Sequence, residues 1–172
     1  MTFKGFGLMF PKEEIVAWAT HYPFEWDEEA LQAGKNIREG DYSRSNLEII
    51  VRWKSERRLA LIAENSDDEI ADALHLALQA KEPRSAFAVL IGLRGVGTPM
   101  ASSILTAVDQ VRFTIIDYRA LEALGAADRD TDLNFYLHYY FPECQRLASE
   151  SGVNLRTLDR ALWSWSNRPK EH

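Results

Sequence analysis

"LRGVGTPMASSILTAVDQVRFTIID" (Leu93–Asp117) is the stretch on which the reading of this chain turns. Gly95-Val96-Gly97 stands directly before an apolar helical pattern, and Asp117 follows twenty residues after the second glycine. Two helices joined by a Leu-x-Gly-Val-Gly turn must cross tightly. Gly95 and Gly97 can take backbone angles that side chains disfavour, and they let a ligand approach the main chain. Val96 is placed to plug the crevice between the helices. Thr98 is a candidate N-cap, and Pro99 suits the first helical position, where its missing N–H costs nothing. The N–H groups of the turn and of the helix N-terminus would then point outward together as a phosphate site. Such contacts hold a nucleic-acid backbone and do not specify bases. Met100, Ala101, Ile104, Leu105 and Val108 form the expected buried face, "RFTIID" reads as extended, and "YRALEALG" as a short helix closed by Gly125.

Working outward, "RSAFAVLIGL" reads as the helix entering the turn. "SDDEIADALHLALQA" carries a capping box, Ser66 with Glu69, and an apolar stripe of Ile70, Leu74, Ala77 and Leu78, with Pro83 ending it. "NLEIIVRWKSERRLALIAE" predicts a helix over 46–53, then a bend or a second short helix. Towards the C-terminus, "TDLNFYLHYYFPECQRLASESG" predicts an aromatic-rich helix bent near Pro142. "NLRTLDRALWSWS" predicts a last one, with Leu155, Leu158, Ala161, Leu162 and Trp165 available for packing. Residues 1–45 are the least legible. "KEEIVAWATHY" suggests a short helix with Ile15, Val16 and Trp18 inward, and "GKNIREGDYSRS" a loop broken by Gly34, Gly40 and Asp41. The pattern is all-α, with seven or eight short helices and no paired strands.

The 172 residues fit one structural unit, with 46% hydrophobic and 27% charged residues, which is globular composition. The single cysteine, Cys144, excludes an internal disulfide and a cysteine-ligated cluster, and suits a reducing compartment. The N-terminal stretch has no cleavage-like signal, and no run reaches 18 apolar residues, so no membrane partner and a cytoplasmic location are expected. Net charge is −6, which argues against a protein coated in nucleic acid. The charge is segregated, however. "EWDEE" (25–29) and "ENSDDEIAD" (64–72) hold acids and no base, whereas 44–58 is net +3 and 84–119 net +2.

The hairpin Leu93-Arg94-Gly95-Val96-Gly97-Thr98-Pro99-Met100-Ala101, with Asp117 at its distance, resembles the helix–hairpin–helix, Gly/Pro-Asp (HhH-GPD) superfamily of DNA glycosylases. The resemblance covers residues 85–125 and extends back to 46 and forward to 165, where "LRTLDRALW" is similar to the family's closing helix; residues 1–45 show none. It divides the chain into an N-terminal segment, 1–45, and a glycosylase-like helical domain, 46–168, with the hairpin over 85–108 and the aspartate segment over 111–125. It implies a compact helical domain that binds DNA, and a monofunctional N-glycosylase activity of base excision repair at Asp117. Where bifunctional members carry a hairpin lysine this chain has Pro99, which has no amine for a Schiff base, so no lyase step by that route is implied. Arg94 replaces a common proline, and the stretch between "WKSERR" and the hairpin is shorter than in typical members, so a base pocket that is small, remodelled or missing is expected.

Asp117 is thus the catalytic candidate, as the carboxylate that stabilises a cation-like sugar or activates water; its plain alternative is an N-cap. The DNA-contact candidates are Gly95, Val96, Gly97 and Thr98 in the hairpin. Trp53, Lys54, Ser55, Arg57 and Arg58 suit base stacking and phosphate contact, with Arg119 beside the aspartate. Their alternatives are a turn that only serves helix crossing, a core tryptophan with a solvated basic face, and a surface arginine. His75, His138 and Cys144 have no metal-ligand spacing, and no metal or cofactor is expected. Trp163, Trp165 and the "FYLHYYF" aromatics read as core. Two other functions stay open: a non-enzymatic hairpin module that binds DNA, and a protein-binding or scaffold role that the acidic balance favours.

Overall fold

In the computed structural model, residues 6–170 are described; residues 1–5, part of the stretch read for a leader, lie outside them. Eleven α-helical segments occur among the described residues, joined by short 3₁₀ turns, and no strand. They are α1 (Ile15–Thr20), α2 (Glu28–Arg38), α3 (Arg44–Ser55), α4 (Leu59–Ile62), α5 (Asp67–Gln79) and α6 (Pro83–Ile91). After these come α7 (Thr98–Val108), α8 (Tyr118–Ala123), α9 (Leu133–Phe135), α10 (Phe141–Ser151) and α11 (Leu155–Ser166). A π turn, Tyr136–Tyr140, joins α9 to α10 just before Pro142, which accounts for the expected bend.

The fold is organised around α7. Every residue of it except Pro99 is buried, as befits a helix without a charged face. Helices α2, α3 and α6 pack on it, α1 and α8 pack on α11, and α5 packs on α6. The small residues of α7 let neighbours come close. Gly34, read as a loop breaker, lies inside α2 at the α2–α7 crossing, where an added Cβ would stand 2.0 Å from the Ala107 carbonyl oxygen. It is there for close approach and not for a turn.

Local chemistry explains the element boundaries. Ser66 caps α5 with the full reciprocal capping box to Glu69. Pro83 starts α6 instead of ending α5. Gly97, not Thr98, is the N-cap of α7; Thr98 already lies within the first turn and is buried. Ile15 is fully buried and Trp18 half-buried, but Val16 is exposed, because the six-residue α1 presents only one narrow face to α11.

Candidate functional site

The hairpin is built as its glycines require, with one difference. Gly95 has φ +86°, and a Cβ there would meet Leu61 Cβ at 2.9 Å, so glycine is needed for both conformation and space. Gly97 is extended and needs no unusual angle. Val96 is buried between the helices. Asn65, buried under the turn, accepts the Arg94 N–H at 2.9 Å and donates to the Arg94 carbonyl at 3.0 Å. The N–H groups of Gly97, Thr98 and Met100 have no hydrogen-bond partner among the described residues. They are the orphan donors of a helix N-terminus, the geometry that favours an anion. The Arg94 side chain pairs with Glu64 at 2.8 Å, beside the turn.

The extended segment after α7 has no strand to pair with, so side chains satisfy its backbone. Tyr136 donates its hydroxyl to the Thr114 carbonyl at 2.9 Å, and Tyr140 donates to the Ile115 carbonyl at 2.5 Å. The Ile116 N–H donates to Ser102 Oγ, at 3.1 Å. Two aromatics of "FYLHYYF" are therefore core residues that also fix this segment. Burial raises both phenols well above their ordinary pKa and keeps them donors. Ser102 lies about one helical turn, ~6 Å of axial rise, beyond the start of α7. Asp117 is thereby delivered close to the N-terminal half of α7.

Asp117 caps α8, with Oδ1 accepting the Ala120 N–H at 2.9 Å. Its Oδ2 pairs with Lys54 Nζ, from α3, at 2.7 Å. Burial alone would raise this carboxyl. The Lys54 ammonium, the Ala120 N–H and the nearby Arg119 outweigh it and hold Asp117 below the usual carboxylate range. The basic segment and the aspartate segment, far apart in sequence, thus meet in one pair.

Beyond that pair lies a cavity of about 90 Å³, lined by Tyr22, Trp53, Trp163 and Ile115. Its polar lining is Lys54, Asp117, Arg156 and Asp159.

A buried charge network supports the far wall. Asp27 Oδ1 accepts from Tyr22 Oη at 2.7 Å and Trp53 Nε1 at 3.2 Å. Its Oδ2 accepts from Arg156 Nη2 at 2.6 Å and from Arg160 Nη2 at 2.8 Å and Nε at 3.2 Å. Burial pushes the Asp27 carboxyl up, but the Arg156 charge and these donors bring it below its ordinary value. Arg156 also donates through Nη1 to Asp159 Oδ2, and its guanidinium lies over the Trp53 ring, 5.5 Å from the centroid.

Trp53 and Lys54 are thus engaged inside the protein. Ser55 ends α3 half-buried, and Arg57 and Arg58 are exposed, with no ion pair among the described residues. Arg119 lies over Trp163, 5.4 Å from the ring centroid, so Trp163 is a cavity wall and not simply core. The residues that sequence reasoning missed are Tyr22, Asp27, Arg156, Asp159 and Arg160. One signal was present for three of them. Arg156, Asp159, Arg160 and Trp163 recur at helical spacing as a second stripe beside the apolar face of α11. His75 stacks on Tyr42, 5.2 Å between centroids, and among the described residues no group of three metal-ligating side chains occurs. No helix among them is long and apolar enough to cross a membrane.

No protein-family model, no curated protein and no solved structure matches this chain.

Proposed function

We propose that this protein binds DNA through the Gly95–Thr98 hairpin and hydrolyses an N-glycosidic bond at Asp117, as a monofunctional relative of the HhH-GPD DNA glycosylases. The observation that carries the reading is the convergence at Asp117. It is an ionised, half-buried carboxylate at the end of a segment clamped to the hairpin's second helix, and it faces a cavity with aromatic walls. An extruded nucleotide would approach beside Trp53 and Trp163, and the small cavity must widen to admit its base. Both Asp117 oxygens are hydrogen-bonded, so Lys54 must leave Oδ2 as the sugar arrives, exchanging one cation for another. The anion then stabilises the positive charge that develops at C1′ as the bond to the base breaks. Hairpin N–H groups, Arg57 and Arg58 hold phosphates. Pro99 supplies no amine, so the hairpin forms no Schiff base.

The test is a panel of duplexes carrying uracil, oxidised purines or alkylated bases, followed by hot alkali to reveal abasic sites. The expected result is strand scission only after alkali, reduced by about 10²-fold or more in Asp117→Asn. Asparagine still caps α8, so the variant keeps its fold. Scission that persists unchanged in the variant removes Asp117 from the chemistry. The small cavity and the Lys54 plug favour one second reading, a hairpin module that binds DNA without cleaving it. Binding without scission, weakening with salt at a slope near −0.9 per phosphate neutralised, would select that reading. No binding at low salt would overturn both.

A further inference from the structure

Three carboxylates meet around the cavity, and their oxygens are used differently. Asp27 has both oxygens saturated by four side chains, and Asp117 has one oxygen on Lys54 and one on the α8 backbone. Asp159 lines the same cavity but accepts only from Arg156, through Oδ2. Its Oδ1 has no hydrogen-bond partner among the described residues. Asp159 is a buried residue with that oxygen left free beside the cavity, and burial of a carboxyl favours its neutral form.

Resting on the glycosylase reading above, we propose that Asp159 is a second catalytic residue, the acid that gives its proton to the departing base. The step balances. As C1′–N breaks, its electron pair stays on the nitrogen, which takes the proton from Asp159. Asp117 holds the sugar cation. Water adds to C1′ and returns its proton to Asp159. The two carboxylates divide the work because their surroundings differ. Burial and the charge of Asp117 raise Asp159 to about 6, against the pull of Arg156 and Lys54. Tyr140, Tyr136 and Cys144 also feel its charge, and burial holds all three protonated. Asp117 is held anionic.

The experiment is the single-turnover rate on the same duplexes across pH. For a neutral leaving base, the rate should fall about tenfold per pH unit above about pH 6, as Asp159 loses its proton. For 7-methylguanine, already cationic and able to leave without a proton, the wild type should show no such fall. Asp159→Asn should lose ~10²–10⁴-fold on neutral bases, lose the alkaline limb, and retain the rate on 7-methylguanine. The two-substrate comparison needs only wild-type protein, so it decides even if the variant does not fold. Equal pH profiles for both leaving groups, or an Asp159→Asn enzyme with full activity on neutral bases, overturn the role of Asp159 while the glycosylase reading stands. Scission confined to the cationic base also overturns it. A panel on which the wild type cleaves nothing overturns the glycosylase reading, and this role with it.

Discussion

Gly34→Ala should be among the most damaging single-methyl additions to this fold. The new Cβ would stand 2.0 Å from the Ala107 carbonyl oxygen, 2.3 Å from its carbon and 2.9 Å from Val108 N. All three are backbone atoms, so no side-chain rotation relieves the clash. Reaching an ordinary contact near 3.4 Å requires α2 and α7 to part by about 1.4 Å. That movement also pulls on the hydrogen bond from Arg38 Nη1 to the Val108 carbonyl, 2.9 Å long and on the same crossing. Overpacking costs about 1–3 kcal/mol or more, and the strained bond about 1 kcal/mol. Alanine's better helix propensity returns about 1 kcal/mol, leaving a net loss of about 1–3 kcal/mol. For a domain of this size that is roughly 2–12 °C in Tm. Thermal unfolding followed by far-UV circular dichroism reads it directly. Gly40→Ala is the control: its φ is +102° but nothing lies within 4 Å, so only the backbone term of about 1–2 kcal/mol applies. A Gly34→Ala protein melting within 2 °C of wild type would refute the account of the α2–α7 crossing.

Asp27→Asn leaves Arg156 and Arg160 without their shared anion, and breaking a buried pair from one side costs about 3–5 kcal/mol. Urea unfolding should show that loss, while Glu64→Gln at the exposed Arg94 pair stays within ~1 kcal/mol; similar midpoints for the two variants would contradict the reading. Asn65→Ala frees the Arg94 N–H and carbonyl from their buried clamp. It should destabilise by about 1–2 kcal/mol and speed amide exchange at the hairpin well ahead of that in α10. Uniform acceleration across both regions would show that Asn65 does not hold the turn.

How much of this was legible follows from the range over which each feature is specified. The capping box at Ser66, the positive φ at Gly95, the start of α8 at Asp117 and the all-helical pattern are written within a few residues, and they are found where the sequence places them. Gly34 was misread because a glycine in a polar stretch resembles a breaker until its neighbour across the core is known. Asp27 was hidden for the same reason. It sits among four acids in "EWDEE", and nothing local says that this one is buried, since its partner Arg156 lies 129 residues away. The candidate site joins the two kinds of feature. The hairpin and its aspartate are local, while the wall of Asp27, Arg156 and Asp159 exists only in the fold. They meet where Lys54, 63 residues before Asp117, pairs with it. Trp53, the residue before Lys54, binds Asp27. One dipeptide of α3 therefore ties the legible half of the site to the hidden half. Lys54, which holds Asp117 below the usual carboxylate range, thus stands next in the chain to the residue that the N-terminal segment binds through Asp27.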